Sequence, residues 1–319
     1  MRPIRSALLL SLLALSLLVA ACGHDPTVTP TVAGPAETTG PSSAFPITIT
    51  DDDGVSVTIE APPERIVTFA PSMTEIVFAL GLGDRLVGVS GPFDDYPPEA
   101  AEIDEVGGAG DFGVDPNIEQ VVGLEPDLFL TIKGGDQWKR RLRDLDVPVV
   151  TLDARNLDDL MADIEVAGEI TGAADAAAAV VGDLQAQADE VESALAGTAR
   201  VTCFYETFYP PLYTVGPGTF IYDLLERAGC DPVTSSAGQQ YPQWSVEDLV
   251  AESPDVYLVS SESGAGPMAV AKRAGFEAVG AVAAGRVVAI DSSLAERPGP
   301  RIVEGLRLIA EALHPEAFH

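Results

Sequence analysis

The sequence predicts an α/β protein of two related lobes joined by a long helix, and three features of the chain carry that expectation. Arg65 to Pro98 reads as strand, turn, helix and second strand. Ile118 to Leu130 then lines up without gaps with Val246 to Leu258, so that helix, Pro-Asp and apolar strand recur in one register. Between the copies lies an Ala-rich run, Ala173 to Leu195, whose composition favours helix. A chain of 319 residues is long enough for two domains, each with its own core.

Taken in order, Met1 to Ala21 carries Arg2 and Arg5, an apolar run from Ala7 to Ala20 and then small residues, the pattern of a secretory signal over 1–21. The junction Val19-Ala20-Ala21-Cys22 resembles a bacterial lipobox, which implies that Cys22 carries a lipid; an ordinary signal with an accidental cysteine is the alternative. Residues 22–46 form the anchor point and a tether rich in Pro, Thr, Ser and Gly that cannot build a core. The first lobe is expected over 47–156. It opens with a hairpin, Ile47 to Glu60, turning at Asp53-Gly54. A strand from Arg65 stops at Pro71, and Ser72-Met73-Thr74-Glu75 reads as a capping box that starts a helix ending at Gly81. Arg85 to Val89 returns as a strand, and Gly107 to Asp115 is a Gly-rich loop carrying Phe112. Val149 to Asp153 is a strand echoed by Val287 to Asp291.

Connecting helices occupy 157–198, broken at Thr171-Gly172. At about 1.5 Å per residue, Ala173 to Leu195 would span roughly 34 Å, enough to cross both lobes as a stiff connector. The second lobe, 199–319, begins with a strand at Arg200 to Glu206 and continues with a helix from Thr219 to Ala228 and a Ser245-capped helix. A last helix is expected over Pro300 to Leu313, with Pro298 and Pro300 fitting its first turn.

The net charge of −31, with lysine only at 133, 139 and 272, excludes nucleic acid as a partner, since phosphates need a basic surface. The acidity reads as a solvated, self-repelling surface that suits a monomer. Of the histidines, His24 lies in the tether and His314 and His319 at the end, so neither lobe is expected to contain one. That removes Ser-His-Asp and Cys-His catalysis and the common zinc sites. Asp94, Asp95, Asp111 and Glu206 could serve a hydrolase, but no spacing assigns them and such residues read as solvated turns. No catalytic residue, metal site or resident cofactor is therefore expected. Cys203 and Cys230 form either a disulfide or two buried thiols.

In open α/β sheets, ligands sit at the carboxyl ends of the strands. That directs attention to Pro71, Ser72 and Met73 and to loops carrying Tyr96, Phe112, Trp138, Tyr209, Tyr213, Tyr241 and Trp244. As a set these aromatics supply the apolar walls of a binding cleft. Glu119 and Glu247 occupy the same place in the repeated helix and offer matching negative charges to a two-fold symmetric partner.

From Arg65 onward the chain resembles the cobalamin- and iron-chelate-binding proteins that feed ABC importers, its cobalamin-binding members most closely. The likeness is carried by the β-α-β opening, Asp95-Tyr96-Pro97-Pro98, Lys133-Gly134-Gly135, Pro210-Pro211, Glu296-Arg297 and Pro300-Arg301-Ile302. It implies a solute-binding protein of two three-layer α/β lobes on a backbone helix, with ligand between them and Lys133, Glu296 and Arg297 added to the site. It further implies a lipoprotein outside the cell membrane, whose Glu119 and Glu247 dock on arginines of a permease dimer. The ligand so implied is cobalamin or another metal chelate, with a ferric siderophore or haem as alternatives; a sensor module is a more remote one. Gly108-Ala109-Gly110 and Ile132 stand where the cobalamin-binding members place cleft tryptophans.

Overall fold

The computed structural model describes residues 45–108 and 114–318. The secretory signal, Cys22, nearly all of the tether and Phe112 lie outside the described residues. The hairpin forms as expected, β1 (Ile47–Thr50) against β2 (Ser56–Ile59), with Ile47 opposite Ile59. Gly54 takes φ 75° in the turn, while the carboxylate of Asp51 accepts from the amides of Asp53 and Val55.

The first lobe holds β3 (Ile66–Phe69), α1 (Pro71–Ala79), β4 (Leu86–Gly88), α2 (Ile118–Gly123), β5 (Leu128–Thr131), α3 (Asp136–Arg143) and β6 (Val149–Thr151). Its sheet is parallel, in the order β4-β3-β5-β6. Alternate residues face opposite ways, so Ile66, Leu128 and Leu130 enter one apolar layer while Val67, Phe129 and Val149 enter another. Carboxylates of the hairpin fasten it to this lobe. Asp53 accepts from Lys139 Nζ at 2.7 Å and Thr151 Oγ1 at 2.8 Å, and Asp51 accepts from the Thr151 amide at 3.2 Å. Partial burial opposes the charge on Asp53, yet the bonds from Lys139 and Thr151 outweigh it and hold the carboxyl below its ordinary range.

Two helices join the lobes, α4 (Leu157–Thr171) and α5 (Ala174–Ala194), with Gly172 at φ 75° ending the first. The Ala-rich α5 was expected to cross both lobes. Instead α4 packs on α1 of the first lobe and on α6 (Phe220–Arg227) of the second, while α5 packs on α4 and on the last helix. Arg227 ties this junction together through Asp223, Asp158 of α4 and Glu192 of α5. One apolar core runs from Ile66 through Ile164 and Leu184 to Leu258 and Leu306, so the lobes share buried surface and the connector is stiff.

The second lobe contains β7 (Val201–Phe208), β8 (Tyr213–Thr214), β9 (Cys230–Pro232), α7 (Val246–Glu252), β10 (Val256–Ser260), the one-turn helices α8 (Pro267–Val270) and α9 (Gly280–Ala283), β11 (Val287–Ile290), α10 (Ser292–Ala295) and α11 (Ile302–Leu313). Strands β11, β10, β7 and β9 run parallel, and β8 pairs antiparallel with the end of β7. Each sheet therefore lies between apolar layers, giving two three-layer α/β lobes. Cys203 and Cys230 are joined as a disulfide across β7 and β9, with Cα atoms 5.9 Å apart. Closing a loop with a sequence separation of 27 is worth roughly 3–4 kcal/mol in the chain-entropy account.

Several local expectations are corrected. Ser72 does not cap α1; Pro71 is its first residue, Ala70 is the N-cap, and no side chain bonds there. Helix α11 starts after Arg301, so Pro298 and Pro300 precede it. His314 is buried within the second lobe, beside the carbonyl of Gly229 at 3.1 Å. Asp94 and Glu206 are not solvated. Asp94 accepts from Thr74, Ser90 and the Gly91 amide, and Glu206 accepts from Tyr257 and from both terminal nitrogens of Arg273.

Candidate functional site

A cleft opens between the lobes with a cavity volume of about 360 Å³. The first lobe contributes Ser72 and Met73 from α1, Ile132 and Lys133 after β5, and Leu152 to Arg155 after β6. Opposite stand Gly218 to Ile221 at the start of α6, then Gln240, Tyr241, Glu296 and Pro298, with Asp163 entering from the connecting helix α4. Thr219 caps α6 by accepting from the Tyr222 amide at 3.3 Å, which fixes the turn that presents Phe220 and Ile221. The strand-end rule thus located the first-lobe wall, because β3, β5 and β6 all finish there.

Of the residues expected in the site, Ser72, Met73, Lys133, Tyr241 and Glu296 line the cleft. Glu296 accepts from Tyr205 Oη at 2.8 Å. Burial, and then Glu296, pushes the Tyr205 hydroxyl up, and Tyr241 is raised by burial, Glu296 and Asp153.

Beside the cleft, arginines bridge the lobes. Glu75 of α1 takes both Nε and Nη2 of Arg301, at 2.9 and 2.6 Å, and Tyr96 stacks on that guanidinium at 3.8 Å. Arg297 donates to the Phe93 carbonyl at 3.0 Å and to Asp95 at 3.1 Å. Tyr96 and Arg297 therefore belong to a contact between lobes, and Pro71 begins α1 just outside the lining.

The other aromatics are placed elsewhere. Tyr209 lies under Arg273 at 3.9 Å and edge-on to Phe276, and with Trp244 it packs on the second lobe's own core. Tyr213 belongs to β8, opposite Phe208. Trp138 lies in α3 against Phe69 and Phe129. Sequence reading missed Asp153, Arg155, Asp163, Phe220 and Gln240. The capping signal at Thr219 could have pointed to Phe220, but nothing local marks Asp163.

Asp163 is 8% exposed, and its Oδ2 has no hydrogen-bond partner among the described residues. Burial first, then the charges of Asp52, Asp159 and Asp153, push its carboxyl up to about 8. Among the described residues, no group of three or more His, Cys, Asp or Glu is placed to hold a metal ion. No helix of the described residues is long and apolar enough to cross a membrane.

The repeated segments keep a common backbone. Glu125 and Ser253 occupy equivalent places after α2 and α7, and both take positive φ, 47° and 45°. Asp127 then accepts from the amides of Glu64 and Arg65, as Asp255 accepts from the amide and hydroxyl of Thr202. Glu119 and Glu247 are both exposed in the first turns of these helices.

Comparison with known proteins agrees with this architecture. The model of the periplasmic binding protein family matches residues 66–294. The ABC transporter substrate-binding lipoprotein YvrC of Bacillus subtilis, itself uncharacterised, is 31% identical, over 98% of this chain and 98% of its own length. A cobalamin-binding protein of Halobacterium salinarum is 32% identical over 85% of this chain and 75% of its own. Among solved structures, the periplasmic vitamin B12 binding protein BtuF of Vibrio cholerae superposes with a TM-score of 0.70 at 26% identity, covering 81% of this chain and 98% of that one. With a family match across both lobes and a relative aligned over nearly its whole length, the chain belongs to the periplasmic binding protein family, whose members are extracytoplasmic solute-binding proteins and not enzymes.

Proposed function

We propose that this protein captures cobalamin or a related corrinoid in the cleft between its lobes and hands it to the permease dimer of an ABC importer, working as a monomer held at the membrane by a lipid on Cys22. The observation that carries the ligand class is the chemistry of the cleft. Met73, Leu152, Phe220, Ile221 and Tyr241 give it apolar and aromatic walls, while Lys133 and Arg155 are matched by Asp153 and Glu296, with Asp163 holding its proton at neutral pH. Such a lining suits a large amphipathic ring with few charges and gives no net attraction to a polyanionic chelate. The likeness to the cobalamin-binding protein of Halobacterium salinarum and the vitamin B12 binding protein of Vibrio cholerae supports the same reading. The metal arrives inside the ligand, so no resident cofactor is needed.

The test is equilibrium titration of the purified protein with cyanocobalamin, haem and a ferric catecholate siderophore, followed by ultraviolet-visible absorbance. Saturable binding of cyanocobalamin is expected, and Tyr241→Ala should weaken it by about 0.5–1.5 kcal/mol beyond the lost contact area. Saturable haem or siderophore binding with none of cyanocobalamin would replace the ligand while leaving the family untouched. For the anchor, Cys22→Ser should release the protein from the membrane fraction; retention after signal cleavage would remove the lipid from the account.

A further inference from the structure

Asp163 is the one buried carboxylate on the connecting helix α4; the Ala154 backbone engages its carboxyl group, but its Oδ2 has no partner among the described residues. It lines both the interlobe cleft and a side cavity of about 330 Å³ that opens beside it. The residues around it are already committed. Asp52 of the hairpin turn accepts from the Asp153 amide at 2.6 Å, Asp153 accepts from the Lys133 amide at 3.3 Å, and Asp159 accepts from the Arg155 amide at 3.2 Å. Three carboxylates thus face Asp163 as fixed acceptors, from the hairpin, the β6 loop and its own helix. Lys133 and Arg155 share the side cavity, yet neither bonds Oδ2. A buried polar atom left without a partner is costly, and the residue that carries it lines the cleft where ligand would lie.

We infer that Asp163 is a ligand-contacting carboxylic acid, which in its protonated form donates a hydrogen bond from the side of the cleft to a neutral carboxamide on the edge of a bound corrinoid. This rests on the corrinoid reading above and adds to it a proton-dependent contact. Neighbouring carboxylates and burial keep the proton on Asp163 at neutral pH, with its carboxyl at about 8. What it presents is then an O–H donor, and an amide carbonyl is the acceptor that adds no further negative charge beside Asp52, Asp153 and Asp159. A ligand arm ending in carboxylate, as in haem, would meet those charges with like sign. Once Asp163 ionises, the donor is lost and a fourth acceptor faces the ligand carbonyl.

The experiment is equilibrium dialysis of cyanocobalamin against the wild type, Asp163→Asn and Asp163→Ala from pH 6 to 9.5 at constant ionic strength, with thermal melts to confirm folding. Wild-type affinity should hold to about pH 7.5 and then fall, approaching tenfold per pH unit above the carboxyl's titration. Asp163→Asn keeps a neutral donor, so its affinity should stay within about threefold of the neutral-pH wild type and lose the pH dependence. Asp163→Ala should bind about three- to tenfold more weakly at pH 7, also without that dependence. Wild-type affinity that is flat across the range, that rises with pH as a cation subsite requires, or that falls equally in Asp163→Asn would overturn this inference alone. No cyanocobalamin binding at any pH would overturn the corrinoid reading together with it.

Discussion

The two lobes share an exterior and differ in how their interiors are pinned. Outside, α2–β5 and α7–β10 repeat the same helix, left-handed residue, Pro-Asp and strand, with the aspartate clamping the start of the neighbouring strand in each case. Inside, the first lobe is held by a hairpin whose Asp53 meets the fully buried Lys139, whereas the second has a disulfide and the Glu206–Arg273 pair. The recurrent part is therefore the part that backbone geometry dictates, together with an exposed glutamate that it does not dictate. Cap, left-handed residue and clamp would all form with any polar residue at positions 119 and 247, so the pair of charges asks for an explanation outside the fold.

The largest expected effect comes from the interior difference. Arg273→Met strips Glu206, whose side chain is 0% exposed, of both guanidinium bonds and leaves only Tyr257 Oη. Breaking a buried pair from one side costs about 3–5 kcal/mol, measurable by urea denaturation. Lys139→Met in the first lobe should cost less, because Asp53 is 15% exposed and keeps the Thr151 hydroxyl. Equal losses would show that the two pins are energetically alike despite their different chemistry.

How far the sequence could show all this follows from the range of each interaction. The hairpin, the β-α-β opening, the Ser245 cap and the repeat are set by contacts within a few residues, and each was legible. Glu75 was misread because its partner, Arg301, stands 226 residues away, and that bidentate bond draws it off the end of its own helix. Tyr209 and Trp244 were read as cleft walls because they are aromatic loop residues, but the second lobe's core claims their apolar faces. On α4, Asp163 looks like any polar helix residue. Only the meeting of the hairpin turn, the β6 loop and the second lobe makes it a buried wall of the cleft.

A smaller effect tests the shared exterior directly. Asp127→Ala and Asp255→Ala each remove two hydrogen bonds to a strand start and should cost about 1 kcal/mol apiece. Hydrogen bonds from Thr202, first its backbone and then its side chain, hold the Asp255 carboxyl below its ordinary 3.8. Its contribution is thus complete above that ordinary value and is lost as pH falls through the lower folded value. Wild type should lose this part of its stability in acid, and Asp255→Ala should show a correspondingly shallower acid slope. A cost at one clamp with none at the other would mean that the repeat is only a likeness of shape.

The smallest effect on the fold is expected at Glu119 and Glu247, and it is the one that bears on function. Both are exposed and form no ion pair among the described residues, so reversal to Lys should change stability by no more than about 0.5 kcal/mol. Neither lines the interlobe cleft, so ligand affinity should also hold. Docking on a two-fold permease is different, because each glutamate would meet the same positive site and either Lys would set like charges against each other. Either single Lys variant should therefore weaken permease binding, and the double variant should weaken it most. Permease binding and uptake measured beside ligand titration separate these outcomes. Normal transport by the double variant would leave both residues as solvated glutamates, and the repeat would then record the packing of helix on strand and nothing about a partner.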